Sequence, residues 1–258
     1  MPRRFIRGAV FTGVLLTAAA CSTKGSNGTD TASGAGQIPA ADSTRARDSA
    51  KAAAEKTASD TAWRPLFDGK STAGWHAYKG GAVPAAWKAT DSTLTVTPGG
   101  GDIVTDDQFG DFELAVEWKV PRGGNSGIFY RATEDAEHIY ETAPEMQVLD
   151  DARHPDGKDP LRTAGSAYGL YGPPKGVVKP AGQWNAARVV ARGNHVEHWL
   201  NGQKVVEYEL GSADWSAKVK ASKFKDWPGY GKATRGRIGL QDHGDTVSFR
   251  NIRIRELK

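Results

Sequence analysis

The stretch from Asp111 to Asp150 constrains the fold more than any other part of the chain. Phe112, Leu114, Val116 and Trp118 alternate with Glu113, Ala115, Glu117 and Lys119. A period of two puts one set on each face of a pleat, so the run predicts a half-buried strand. Pro121-Arg122-Gly123-Gly124 then breaks it, as a hairpin connection would. A second strand, Asn125 to Ala132, is expected to place Asn125, Gly127, Phe129 and Arg131 on one face and Ser126, Ile128 and Tyr130 on the other. In a third, Glu145 to Asp150, Glu145 and Gln147 share a face while Met146 and Val148 point the opposite way. Adjacent strands then offer Asn125, Arg131, Glu145 and Gln147 to one side of a sheet. Such a row is either a solvated outer face or the polar floor of a sugar cleft. Gly127 favours the cleft, because a strand glycine leaves room for a ligand or another backbone.

The rest of the chain continues the pattern. Short apolar strands are expected around Leu94–Val96, Ile103–Val104, Asn185–Val190, Val196–Leu200, Val205–Leu210, Gly236–Gln241 and Val247–Arg255. Arg192-Gly193-Asn194 reads as a tight hairpin turn. Asn201-Gly202 is the stronger signal, since a two-residue hairpin needs positive φ at both positions. Residues 151–183 form a long, turn-rich segment around Ala167–Tyr171, and long structured loops on a β scaffold usually carry function. Residues 212–235 read as irregular. Trp75, Trp118 and Trp199 are assigned to the core. About ten short strands and no long helix after residue 60 predict an all-β antiparallel sandwich or jelly roll. It spans residues 61–258 as one domain, with its first and last strands paired.

The N-terminal sixty residues are of another kind. Arg3, Arg4 and Arg7 precede the apolar run Ala9–Ala20, which has the length of a signal-peptide core and is too short to cross a bilayer comfortably. Residues 1–20 are therefore expected to be a signal peptide. Cys21, the only cysteine, follows three alanines, as in a bacterial lipobox, although Ala18 stands where such a box usually has Leu. The expectation is a lipidated Cys21 on an exported protein of the bacterial cell envelope, touching membrane only through that anchor. Residues 21–60 carry almost no large apolar side chains and cannot offset their ordering entropy, so they read as a disordered linker.

Charge narrows the function classes. Residues 1–60 hold 8 basic and 5 acidic residues, which leaves 26 basic against 25 acidic in the remainder. A near-neutral domain lacks the electrostatic footprint of a nucleic-acid binder. Pro98-Gly-Gly-Gly-Asp102 is a turn rather than a phosphate loop, lacking the Lys-Ser/Thr ending. No serine-nucleophile elbow appears. The histidines show no pair at zinc spacing on a helix, and no cofactor is expected; Ca²⁺ near Asp150 or Asp245 is compatible with this fold type.

Five segments carry a family resemblance. They are FDGKSTAGW (67–75), DFELAVEWKVPRGGNSGIFYR (111–131), YETAPEMQVLDD (140–151), WNAARVVARGNHVEHWLNGQKV (184–205) and GLQDHGDTVSFRNIRIREL (239–257). In order and spacing they resemble the 3-keto-disaccharide hydrolase-like domain family across residues 63–258. The resemblance implies a concanavalin A-like jelly roll with a concave sheet. It also implies a carbohydrate substrate, a glycoside whose sugar is oxidised to a ketone at carbon 3. Such a ketone acidifies the hydrogen on carbon 2, so one base, donors for an enolate oxygen and an acid for the leaving group suffice.

The candidate catalytic residues are Glu145 as base or acid, His243, whose titration range suits proton transfer near neutral pH, and Arg131 as a holder of a sugar or enolate oxygen. Asn125, Ser126, Gln147, Asp150 and Gln241 are candidate sugar contacts, with Tyr168 as a lid or stacking residue. Two rivals stand beside this reading. A laminarinase-like glycosidase needs two acids on one strand face, but Glu145 is followed there by Gln147 and Leu149. A tethered carbohydrate-binding module would bind glycans without turnover.

Overall fold

The computed structural model describes residues 62–258; the segments read as signal peptide (1–20), linker (21–60) and lipidation site (Cys21) lie outside the described residues. Two antiparallel sheets form the domain. The larger runs in the order β11 (Gln203–Glu209), β10 (His195–Leu200), β9 (Asn185–Arg192), β6 (Phe112–Lys119), β13 (Val247–Glu256), β4 (Thr93–Val96) and β3 (Trp87–Thr90), with β1 (Arg64–Pro65) also paired to β13. The smaller runs β2 (Trp75–Ala77), β5 (Ile103–Thr105), β12 (Arg237–Leu240), β7 (Asn125–Ala132) and β8 (Glu145–Leu149). This is the expected jelly roll, closed by its first and last strands.

The alternation that marked β6 drives the packing. Phe112, Leu114, Val116 and Trp118 are buried against Ile103, Ile128, Tyr130, Met146, Val148 and Leu240 of the smaller sheet. Each fully buried side chain of this size contributes about 1.5–3 kcal/mol, so the inner faces fix which way every strand turns its other face. Between β10 and β11, Asn201 (φ 50°) and Gly202 (φ 85°) make the expected two-residue turn.

Three expectations need correction. β6 and β7 are not a hairpin: they belong to different sheets, and Pro121–Gly124 is the arch between them. Trp199 is only half-buried; its indole stacks on Arg188, with the guanidinium carbon 4.0 Å from the ring centroid, and donates to Glu197 at 2.7 Å. The span 212–235 contains a helix, α1 (Ala213–Lys220), started by the Ser212 hydroxyl, which accepts from the Trp215 N–H.

The long loop covers the exposed edge of β8. Gln147 N–H donates to Ser166 O, Gly165 N–H to Gln147 O and Tyr168 N–H to Glu145 O. A sheet edge that would otherwise offer unpaired groups is thereby satisfied. On the outer face of the smaller sheet, Val104, Phe129, Ala132, Ile139 and Ala143 form a second, smaller apolar cluster with Tyr78 and Tyr140 against it.

Candidate active site

A cavity of about 110 Å³ opens on the outer face of the smaller sheet, lined by Asn125, Tyr140, Glu145, Gln147, Tyr168, Lys223, Gln241 and His243. Strand register builds it. Gly127 pairs with Gln147 and Phe129 with Glu145, while Gln241 N–H donates to Gly127 O. Neighbours across a sheet share a face, so Asn125, Glu145, Gln147 and Gln241 converge. With Tyr168 and His243, six of the nine expected residues therefore meet in one place.

Glu145 is the chemical centre of the cavity. It is 7% exposed. Burial pushes its carboxyl up to about 8; the charges of Asp102 and Asp156 push the same way, and Lys223 opposes them. In the amide orientation that satisfies both ends, Gln147 Nε2 donates to Glu145 Oε1 at 3.1 Å and to Ser126 O at 2.9 Å. The space above Gly127 is taken by this carboxyl: a Cβ there would lie 2.2 Å from Glu145 Oε1. The glycine makes room for the acid rather than for a ligand.

Lys223 was not anticipated. Its Nζ lies 4.6 Å from the Tyr168 ring centroid, 5.5 Å from that of Tyr140 and 5.3 Å from that of Phe224. Aromatic faces hold a cation without neutralising it. Burial pulls its pKa down, and the charge of Glu145 resists. Tyr168 is fixed by its hydroxyl, which donates to Asp156 Oδ2 at 2.9 Å. His243 is exposed at the mouth, edge-on to His154 with ring centroids 6.2 Å apart. Asn125 Oδ1 and Gln241 Oε1 are buried acceptors without a partner. Buried polar atoms are nearly always paired, so two orphaned acceptors in one cavity mark places for ligand hydroxyls.

Three expected residues do not join them. Arg131 is the extra residue of a β-bulge: Phe129 and Ala132 oppose Gly239 and Arg237, and Arg131 takes φ 52°. The bulge breaks the alternation and turns its side chain away. The guanidinium donates to Gly110 O at 3.0 and 2.9 Å, to Gly193 O at 2.8 Å and to Asp111 Oδ1 at 3.3 Å. Ser126 faces the core, fully buried, and donates to Gln241 O at 2.7 Å. Asp150 lines a different cavity of about 640 Å³ with Arg122, Arg153 and Lys175. Its carboxylate accepts from Gly123 and Ala152 N–H, a turn-building role.

Arg131→Met is accordingly expected to cost about 1–3 kcal/mol of stability, since it removes the buried guanidinium that bonds the Gly110 and Gly193 carbonyls. Activity per folded molecule should be unchanged. Thermal unfolding beside a kinetic assay checks this; activity lost at an unaltered Tm would restore Arg131 to the chemistry.

Ligand-type side chains also meet at His195, Glu197 and Glu207, on the larger sheet. There Lys204 Nζ already bonds Glu207 at 2.6 Å and Glu197 at 3.3 Å.

A jelly roll with a buried, neutral-leaning carboxyl on its open sheet defines a class, the glycoside-active β-sandwich enzymes. Within it, the chain belongs to the family of 3-keto-alpha-glucoside-1,2-lyase-like domains, whose sequence profile matches residues 62–255. A 3-keto-disaccharide hydrolase from Bacteroides thetaiotaomicron is 39% identical over 224 residues, covering 74% of this chain and 77% of the relative. Two crystal structures from Parabacteroides distasonis, both assigned provisionally as glycosyl hydrolases, share the fold. One superposes with TM-score 0.71 at 34% identity, covering 76% of this chain and 94% of the other. The second has TM-score 0.61 at 31% identity, covering 76% and 100%.

Proposed function

We propose that the domain cleaves 3-keto-glycosides by elimination across carbons 1 and 2, followed by hydration, with Glu145 as the base. The observation that carries this is the Glu145 carboxyl itself. It is buried, raised toward neutral pH and set beside a cation and two unpaired acceptors. A base poised near the working pH combines the right protonation state with the most driving force for proton transfer.

The steps balance in atoms and charge. Glu145 takes the hydrogen from carbon 2, and its electron pair forms an enolate with the carbon 3 oxygen. The enolate collapses: the ketone re-forms, a double bond appears between carbons 1 and 2, and the glycosidic oxygen leaves with a proton. Water then adds, hydroxyl to carbon 1 and hydrogen to carbon 2. One water is consumed in all. Lys223 supplies positive charge for the enolate oxygen, the task the sequence suggested for Arg131. Asn125 and Gln241 accept from sugar hydroxyls.

Beside Glu145 on its strand face stands Gln147 rather than a second acid, whereas a retaining glycosidase needs two carboxyls about 5–5.5 Å apart flanking the bond. That favours the elimination route over a laminarinase-like one. The test is turnover of a 3-keto-disaccharide by the full chain, followed by NMR. The expected result is release of the 3-keto sugar, with the unoxidised disaccharide left intact. Binding of both without cleavage of either would establish a binding module instead.

A further inference from the structure

The Glu145 cavity does not stand alone. A second cavity of about 440 Å³ adjoins it, with Tyr78, Asp102 and His138 on its walls. Tyr140, Gln241 and His243 line both, so the two form one continuous cleft. Sheet register fixes its span. Leu240 pairs with Ile103 on one side and Ile128 on the other. One residue further along, Asp102, Gln241 and Gly127 lie abreast on the outer face. With strands about 4.8 Å apart, Asp102 stands about 10 Å from Gly127, and the Glu145 carboxyl lies over Gly127. A ring over Glu145 therefore has room beside it, toward Asp102, for the group attached at carbon 1.

Asp102 is held for a task. Its Oδ1 accepts from Asp242 N–H at 3.0 Å, and Asp242 Oδ2 accepts in return from Gly101 N–H at 2.9 Å. Among the described residues its other oxygen has no hydrogen-bond partner. Burial lifts its carboxyl to about 6; the Asp242 N–H opposes this, the Asp242 charge adds to it and His138 opposes it. Its charge is also felt at Glu145.

We infer that this second cavity is the leaving-group subsite and that Asp102 exchanges the proton with the departing oxygen. The inference rests on the proposed elimination at Glu145. In the first half, Asp102 gives its proton to the glycosidic oxygen as the bond to carbon 1 breaks, while Glu145 holds the hydrogen from carbon 2. In the second, water adds its hydroxyl to carbon 1 and its proton to Asp102, and Glu145 gives a hydrogen back to carbon 2. Both carboxyls end as they began. The subsite suits an aglycone that leaves as a poorly acidic alcohol, a second sugar above all, with the Tyr78 and Tyr140 rings as apolar surface.

The test compares two leaving groups on the full-length Asp102→Asn variant, whose amide oxygen still accepts from Asp242 N–H. On a 3-keto-disaccharide, kcat is expected to fall about 100-fold, the scale of one acid catalyst. On the p-nitrophenyl 3-keto-glucoside, whose phenolate leaves without a proton, kcat should stay close to wild type. Equal loss on both substrates, or loss on neither, overturns the assignment. Wild-type protein inert toward both would instead fail the elimination reading, and this assignment with it.

Discussion

Replacing Glu145 with Gln is expected to lower kcat on 3-keto-glycosides about 1,000-fold, the middle of the range for removing a positioned general base. The amide fills the same space beside Gln147 and Gly127, so the loss is chemical rather than structural. On the p-nitrophenyl 3-keto-glucoside, whose leaving group needs no proton, wild-type kcat/KM should rise with pH and level off above about 8, where Glu145 becomes ionised. On a 3-keto-disaccharide it should fall again at high pH, where Asp102 has lost the proton it donates. Stability should move the other way. The Glu145 carboxyl is raised from 4.5 to about 8 by burial, so between those values the native state holds a proton that the unfolded state has lost. The stabilisation is complete below about 4.5 and is lost as pH rises through about 8. The Gln variant carries no such penalty. Its Tm should match wild type near pH 5 and exceed it near pH 9. A Tm difference independent of pH would mean that Glu145 is not buried as an acid.

The second large effect is expected from Gly127→Ala. The added Cβ would lie 2.2 Å from Glu145 Oε1 and 2.8 Å from Cδ. One of them must give way, and the side chain is the softer. Glu145 would swing off the sheet, lose its bond from Gln147 and gain solvent. We expect kcat to fall about 100-fold, because misplacing a catalytic group by about 1 Å costs that much. Overpacking costs about 1–3 kcal/mol of stability. Gly127 is not at positive φ, so alanine fits its backbone and the strand should persist. Unchanged kcat and unchanged Tm would show that the carboxyl sits elsewhere in solution.

Alternation made much of the fold legible. The two-residue period of Phe112–Lys119 marks a strand and its inner face, and Asn201-Gly202 marks a turn by the φ it must adopt. Parity arguments hold as far as the alternation runs, which is why Asn125, Glu145 and Gln147 meet as expected. They stop at Arg131, where one bulged residue reverses the facing of the strand beyond it. A turn also says that the chain reverses, but not into which sheet; Pro121–Gly124 looked like a hairpin and proves to be an arch. Lys223 had no periodic signal. Its aromatic surroundings come from Tyr140 ahead of β8, from Tyr168 in the long loop and from Phe224 after α1, brought together only by folding. The one local hint was a lysine within a stretch dense in Trp, Phe and Tyr. Asp102 was hidden in a different way: after three glycines it reads as turn chemistry, and only the register of β5 against β12 places it in the cleft.

The central claim is that the hydrogen on carbon 2 moves, and that Glu145 moves it. The most direct measurement is cleavage of a 3-keto-disaccharide in D₂O, with NMR of the sugar released before buffer-catalysed exchange sets in. Water must enter the cleft to hydrate the intermediate, and the Glu145 carboxyl proton exchanges with it. Elimination and hydration therefore predict deuterium at carbon 2 of the released sugar, and neither deuterium nor product with Glu145→Gln. Wild-type product carrying only protium at carbon 2 would contradict the account, because the bond would then have been broken without touching that carbon.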